Sequence, residues 1–261
     1  MKTCCHTRYA GQTLTSLMIG MTIAIFIMAV AGKVYLQSKN TFTVRAALSS
    51  VNENGRFAIH ELRRTLSMAG MGINAREAAH RETSAIVAAG RSGTVEGGGL
   101  KSDAIAVRYR QGTTCSHYID LAKSSAPATV NLMVSDNQLM CRLDDGRSQP
   151  LVSGIKLMKI LFGFDDNNDG YANRYLTAKE VHKIDTTARQ TTAWQRIVSF
   201  HIGLLVFSSD YNLPLDRRPR TASSLQLPGF DYTVNAGDKY LYKVFSTTIY
   251  LRNMNTGLQV Q

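Results

Sequence analysis

From Gln12 to Gly32 the chain reads QTLTSLMIGMTIAIFIMAVAG, a run without a single charged side chain. As a helix rising ~1.5 Å per residue, that run spans about the 30 Å hydrocarbon core of a bilayer. The helical pattern does not stop there. Leu48, Val51, Gly55, Ala58, Leu62 and Leu66 recur at spacings of three and four, which places them on one stripe. Arg45, Glu53, Arg56, Glu61, Arg63 and Arg64 mostly occupy other faces. No proline occurs before Pro127, so the pattern predicts one helix from Gln12 to about Met68, ~85 Å long, with Gly70 and Gly72 as its stop. The first half of such a helix is at home in lipid or among like helices. The second half needs a globular domain to cover its stripe.

The pattern then changes period. Residues 71–102 are rich in Gly, Ala and Ser and read as a connection, with a short helix around Ala75 to His80. Ala104–Arg110 alternates, with Ile105, Val107 and Tyr109 on one side. Ser116–Leu121, Val130–Val134 and Leu139–Leu143 are further short strand runs, the last two joined by a hairpin turn at Asp136-Asn137. Ile155–Phe164 is a longer strand. Arg196–Ser208 is apolar enough for helix or strand, and a strand is expected. Pro214, Pro219, Pro228 and Gly229 mark a long loop, after which Lys239–Leu251 alternates. The expected architecture is α+β: a long N-terminal helix packed on an antiparallel sheet domain. The expected boundaries are a leader over 1–11, the helix over 12–70 (with 12–32 in the membrane) and a globular domain over 71–261.

Composition narrows the classes. The 261 residues are 44% hydrophobic and 19% charged, as in a folded protein rather than a disordered one. The formal charge of +11 is spread along the chain, with a local cluster at Arg217, Arg218 and Arg220. No basic helix with interleaved aromatics accompanies it, so a solvated surface is the plainer reading and nucleic acid the weaker one.

Lys2 and Arg8 precede the apolar run and hold the N-terminus on the cytoplasmic side, which exports the rest. A secretory signal peptide is the competitor, but the run is longer than its apolar core, and Ala29–Gly32 is a weak cleavage site. Of four cysteines, Cys4 and Cys5 lie at the extreme N-terminus. Cys115 and Cys141 sit in the body, where they suit one disulfide in an oxidising compartment, or two free thiols in a reducing one.

Individual residues add a family resemblance. Gly11-Gln12-Thr13-Leu14-Thr15-Ser16-Leu17-Met18-Ile19 resembles the leader motif of type IV prepilins, G-F-T-L-x-E-L-M-I. The resemblance implies that prepilin peptidase cuts between Gly11 and Gln12 and methylates the new amino terminus. Gln12 replaces the usual Phe, and Ser16 replaces the Glu of the fifth mature position. In that family the Glu pairs with a neighbour's terminal ammonium within an apolar bundle, and Ser16 cannot supply the charge.

Further along, Asn52-Glu53-Asn54-Gly55-Arg56-Phe57-Ala58 and Leu66-Ser67-Met68-Ala69-Gly70 resemble segments of PilW-type minor pilins. So do Leu151–Ile155, Phe162-Gly163-Phe164-Asp165 and Phe245-Ser246-Thr247-Thr248-Ile249-Tyr250-Leu251-Arg252-Asn253.

Asp165-Asp166-Asn167-Asn168-Asp169-Gly170-Tyr171 fits the first half of a calcium loop, D-x-[DN]-x-[DN]-G. Asp165, Asn167, Asp169 and the Tyr171 carbonyl are then the candidate ligands. Leu176 stands where the closing Glu belongs, and Glu180 substitutes only if the loop is reshaped. The alternative is an Asp/Asn-rich turn. His60, His80, His117, His182 and His201 are dispersed and form no site; Trp194 reads as a core anchor at a strand entrance. Neither a nucleophile elbow nor a phosphate loop nor a dinucleotide fingerprint occurs, so no enzyme is expected.

The resemblance implies a non-catalytic minor pilin that helps initiate or cap a type IV pilus. Its home is the inner membrane with its bulk in the periplasm, then the pilus surface. Its implied partners are other minor pilins, the major pilin, a tip-associated adhesin and prepilin peptidase. A J-type pseudopilin of type II secretion, a DNA-uptake pilin and a membrane-anchored periplasmic binding domain are the alternatives.

Overall fold

The structure is a computed structural model that describes residues 14–73, 84–88, 94–110, 112, 114–115, 127–144, 146–187, 193–209, 213–214, 224–235 and 237–254. It falls into two units, residues 1–46 and 47–261. The expected helix over Ala75 to His80 and strand over Ser116–Leu121 lie outside the described residues, as do Gly11 and Gln12.

Helix α1 runs unbroken over Leu14–Leu66. It ends a few residues before the predicted stop, and the chain leaves through turns in which Gly70 and Gly72 adopt φ of 79° and 74°. In the first unit its side chains are exposed almost throughout. In the second unit Val51, Gly55, Ala58, Leu62 and Leu66 are buried, as the spacing predicts. Two residues depart from the pattern. Leu48 is 40% exposed, with Ala47 buried in its place. Glu61 is buried too, and lies 2.7 Å from Arg64 one turn on, so its charge goes inward with a partner.

The strands form two four-stranded sheets and a hairpin rather than the single sheet expected. One sheet is a meander of β1 (Ile105–Tyr109), β2 (Ala128–Ser135), β3 (Gln138–Leu143) and β4 (Ser148–Ser153). Its tightest turn is the predicted one: Asp136 and Asn137 both take positive φ, which a two-residue hairpin of matching twist requires. Strand β4, with Pro150 inside it, was not foreseen; the proline is tolerated because β4 is an edge.

The second sheet contains β5 (Ile155–Phe164), β6 (Arg174–Leu176), β7 (Ile197–Phe207) and β10 (Tyr242–Tyr250), in the order β10-β7-β5-β6 and antiparallel throughout. Strand β7 is central and buried on both faces, which explains an apolar run that did not alternate. The presumed long loop contributes a hairpin, β8 (Ser224–Leu227) and β9 (Phe230–Thr233), turning at Pro228-Gly229. Its Leu227 packs with Leu157 and Leu205 on the outer face of the second sheet.

A second helix, α2 (Ala178–Thr187), also went unforeseen. The α1 stripe and residues of both sheets share one core, including Tyr109, Leu132, Phe162, Phe200 and Ile249. Trp194, in the 3-10 turn just before β7, is buried with its ring edge-on to Phe162 at 5.4 Å.

Candidate functional site

The described residues of the first unit form a helix that is apolar over most of its length. Leu14, Leu17, Met18, Ile19, Phe26, Ile27 and Met28 are each at least 60% exposed. A helix of this length and apolarity is able to cross a membrane. Three of its hydroxyls bond within the helix: Thr22, Thr41 and Thr43 donate to the carbonyls of Ile19, Gln37 and Lys39. Of these only Thr22 lies in the apolar run, where internal bonding suits surroundings that lack water. Ser16 lies on this helix, exposed, and brings no charge to it.

In the second unit, residues of the motif segments meet along a seam between α1 and β10. Asn52 accepts from Lys243 Nζ at 2.7 Å. A side chain at Gly55 would occupy the space of the Phe245 ring. Arg63 donates to Thr247 Oγ1 at 2.8 Å, and Asn253 Nδ2 donates to the Ser67 carbonyl at 3.1 Å. Three of these contacts thus join the Asn52–Ala58 or Leu66–Gly70 segment to Phe245–Asn253 or its flank, stretches almost two hundred residues apart in sequence. Gly70 N donates to Arg108 O at 2.9 Å and moors the exit of α1 to β1. In the Leu151–Ile155 segment, Gly154 turns at φ 78° and its carbonyl accepts from Phe207 N.

The acidic loop is a hydrogen-bonded turn between β5 and β6. Asp165 is buried; its Oδ1 accepts from the N–H groups of Asn167 and Asp169, and its Oδ2 accepts from that of Gly170 at 2.8 Å. Asn167 Nδ2 donates to Asp169 Oδ2, and Tyr171 N donates to Asp169 Oδ1. Asp166 pairs with Arg174 at 2.9 Å. The fit to calcium is partial. Alternate oxygens are in sequence position, but Leu176 is engaged in β6. Glu180 caps α2 instead: its Oε2 accepts from Thr177 N at 2.8 Å, and its own N–H reaches Thr177 Oγ1. That Thr-x-x-Glu capping box was readable in the sequence and was passed over. Among the described residues no group of three His, Cys, Asp or Glu side chains is placed to hold a metal.

Cys115 and Cys141 are joined by a disulfide, Cα to Cα 5.6 Å, that ties the segment after β1 to β3. His60 is exposed, and His201 meets Thr248 Oγ1 at 2.9 Å; His80 and His117 lie outside the described residues.

Sequence reasoning missed a buried lysine altogether. Lys159 donates to the carbonyls of Gly97 and Lys101 and to Asp103 Oδ1, beneath the Phe230 ring. No local pattern marks it, because its partners lie on a glycine-rich connection far away in sequence.

A scan against family models matches residues 118–253 to Type IV Pilus-assembly protein W. The chain belongs to the PilW family. It is a pilin-like protein of the type IV pilus class, built on an apolar N-terminal helix and antiparallel sheets. The PilW match takes in the disulfide partner Cys141, the acidic loop and the whole of β10. Among solved structures, a type IV-like pilin from Thermus thermophilus is similar at 11% identity, covering 81% of this chain and 96% of that one with a TM-score of 0.44. No curated protein sequence matches.

Proposed function

We propose that this chain is a minor pilin that takes part in initiating or capping type IV pilus assembly, near the filament tip, without catalysis. The observation that carries the reading is α1, a single Leu14–Leu66 helix that is apolar and exposed first, then amphipathic with its stripe buried. Prepilin peptidase removes residues 1–11 and methylates Gln12. The apolar half then resides in the inner membrane with the sheet domain in the periplasm, where the Cys115–Cys141 disulfide is at home. On assembly the same half leaves lipid for a bundle of like helices formed with other minor pilins and the major pilin, and the tip-associated adhesin docks on the exposed domains.

Ser16 supports a minor role. A subunit without a carboxylate at that position cannot neutralise a neighbour's terminal ammonium, so its repeated use along a fibre would bury an unpaired charge each time. One or a few copies at an end avoid that cost.

Mass spectrometry of the N-terminal peptide from membrane-extracted protein tests the reading. The expected species begins at N-methylated Gln12. An intact Met1, or cleavage after Gly32, would remove the pilin reading at its root.

A further inference from the structure

An open sheet edge presents a row of unpaired N–H and C=O groups and invites another strand unless something blocks it. The two four-stranded sheets have four outer edges, and three of them are blocked. Strand β4 carries Pro150, and β6 is only three residues long. Strand β1 is bridged by Ile86 at Val107, and Val95 bridges its neighbour Ala104. The outer edge of β10 is different. It is nine residues long, with no proline and no bulge in its register with β7. Its one charged side chain, Lys243, is held by Asn52. Among the described residues no strand pairs with it on that side.

The direction of its free groups follows from parity. Leu241 O accepts from Ser208 N, and Leu251 N donates to Val198 O, so odd-numbered residues bond inward. Tyr242, Val244, Ser246, Thr248 and Tyr250 therefore aim their backbone groups outward. At its end the edge runs into a groove of about 520 Å³ lined by Arg63, Ser67, Met71, Tyr250, Arg252 and Asn253. The groove's charge is one-sided. Arg63 donates to a neutral hydroxyl, Arg252 is exposed, and among the described residues neither guanidinium has a carboxylate partner.

We propose that the outer edge of β10 docks an extended, acidic segment of a different subunit of the same filament. The segment adds as a fifth strand, its backbone pairing with the outward groups and its carboxylates meeting Arg63 and Arg252. A second copy of this chain is the poorer occupant, because its own acidic run at Asp165–Asp169 is folded into its own hydrogen bonds. The partner's identity as a filament subunit rests on the function proposed above; the open edge and its charge do not.

Photo-crosslinking with p-benzoylphenylalanine in the full chain, expressed in its own host, tests this. The probe is placed in turn at Ser246, at Tyr250, at the exposed loop residue Tyr171 as background, and at Phe26 in α1. Positions 246 and 250 are expected to give adducts with another pilin-like subunit, mapping to an acidic, extended peptide. With the probe at 250, Ser246→Pro removes an outward N–H without touching the β7 ladder, and Arg252→Glu reverses the charge. Each should lower adduct yield about five-fold or more, with the thermal midpoint unchanged. Yields no higher than at Tyr171, adducts with a second copy, or a basic partner peptide would overturn the docking site. Adducts from Phe26 alone would sink the docking site and spare the filament reading; silence at both positions would remove both.

Discussion

Gly55 of α1 and Phe245 of β10 claim the same volume: a Cβ on Gly55 would overlap Cε2, Cδ2 and Cζ of the ring. Glycine in a helix interior costs about 1 kcal/mol relative to alanine, so this position sacrifices helix propensity for close approach. Gly55→Ala is expected to lower stability by about 1–2 kcal/mol, since the ring must swing outward and uncover apolar surface. Chemical denaturation of the full chain in detergent measures it. Combining the change with Phe245→Leu should cost less than the two singles together, as expected of residues in contact. Additive costs would mean that the two do not compete for space.

The same pair shows how far the sequence could be read. The α1 stripe was legible because period 3.6 is a local property, and Val51, Ala58, Leu62 and Leu66 are buried as that period requires. Strands β1, β2, β3 and β10 were legible for the same reason at period 2. The short segment of β6 and the β8–β9 hairpin were not. Each is stabilised by the surface it lies on, as when Leu227 covers Leu157 and Leu205. A glycine in a helix could be flagged from sequence, but the aromatic ring that demands it lies 190 residues away. The seam became visible only when both ends were placed together.

Lys159 should be the most sensitive single position of the charged set. Its ammonium donates to Gly97 O, to Lys101 O at 2.9 Å and to Asp103 Oδ1 at 3.3 Å, all under cover. Lys159→Met would leave the Asp103 carboxylate buried without its cation and release the 97–103 connection from β5. A loss of about 3–5 kcal/mol is expected, readable as a drop in denaturation midpoint with little change in slope. A loss below about 1 kcal/mol would show that the pair is replaceable.

Asp103 gives this clamp a pH dependence of unusual sign. Burial pushes its carboxyl above the ordinary aspartate range, against the pull of the Ile160 and Gly97 N–H groups and of Lys159. The folded chain therefore holds this proton more tightly than the unfolded chain does. The contribution is fully present below the ordinary aspartate value and is lost as pH rises through the raised one. The stability gap between the wild-type chain and Asp103→Asn should thus be wider at pH 4 than at pH 7. A gap that widens with pH would mean that the lysine and the amide donors win over burial.

Asp165 is expected to matter as a turn residue. Its carboxylate accepts from three backbone N–H groups, those of Asn167, Asp169 and Gly170. Asp165→Ala leaves them without that acceptor in a part-buried turn, a cost of about 2–3 kcal/mol. The same loss should appear in millimolar calcium and in chelator, because Leu176 and Glu180 are committed elsewhere. A melting temperature of the wild-type chain that rises with calcium, and fails to rise in Asp165→Ala, would restore the loop as a cation site.

The Cys115–Cys141 bridge closes a loop with a sequence separation of 26. On a chain-entropy account, a loop of that size raises the free energy of the unfolded state by roughly 3–4 kcal/mol. Both cysteines are buried beside core residues, so Cys115→Ser with Cys141→Ser also puts hydroxyls where apolar sulfur was packed. Paired replacement by alanine avoids that second cost and isolates the loop. The alanine pair is expected to lose about the entropic amount and the serine pair more, measured in detergent under oxidising conditions. With reductant present, the wild-type chain should fall to the level of the alanine pair while the variants stay put. A wild-type chain indifferent to reductant would mean that the bridge adds nothing to the folded domain, and the argument for folding in an oxidising compartment would lose its structural support.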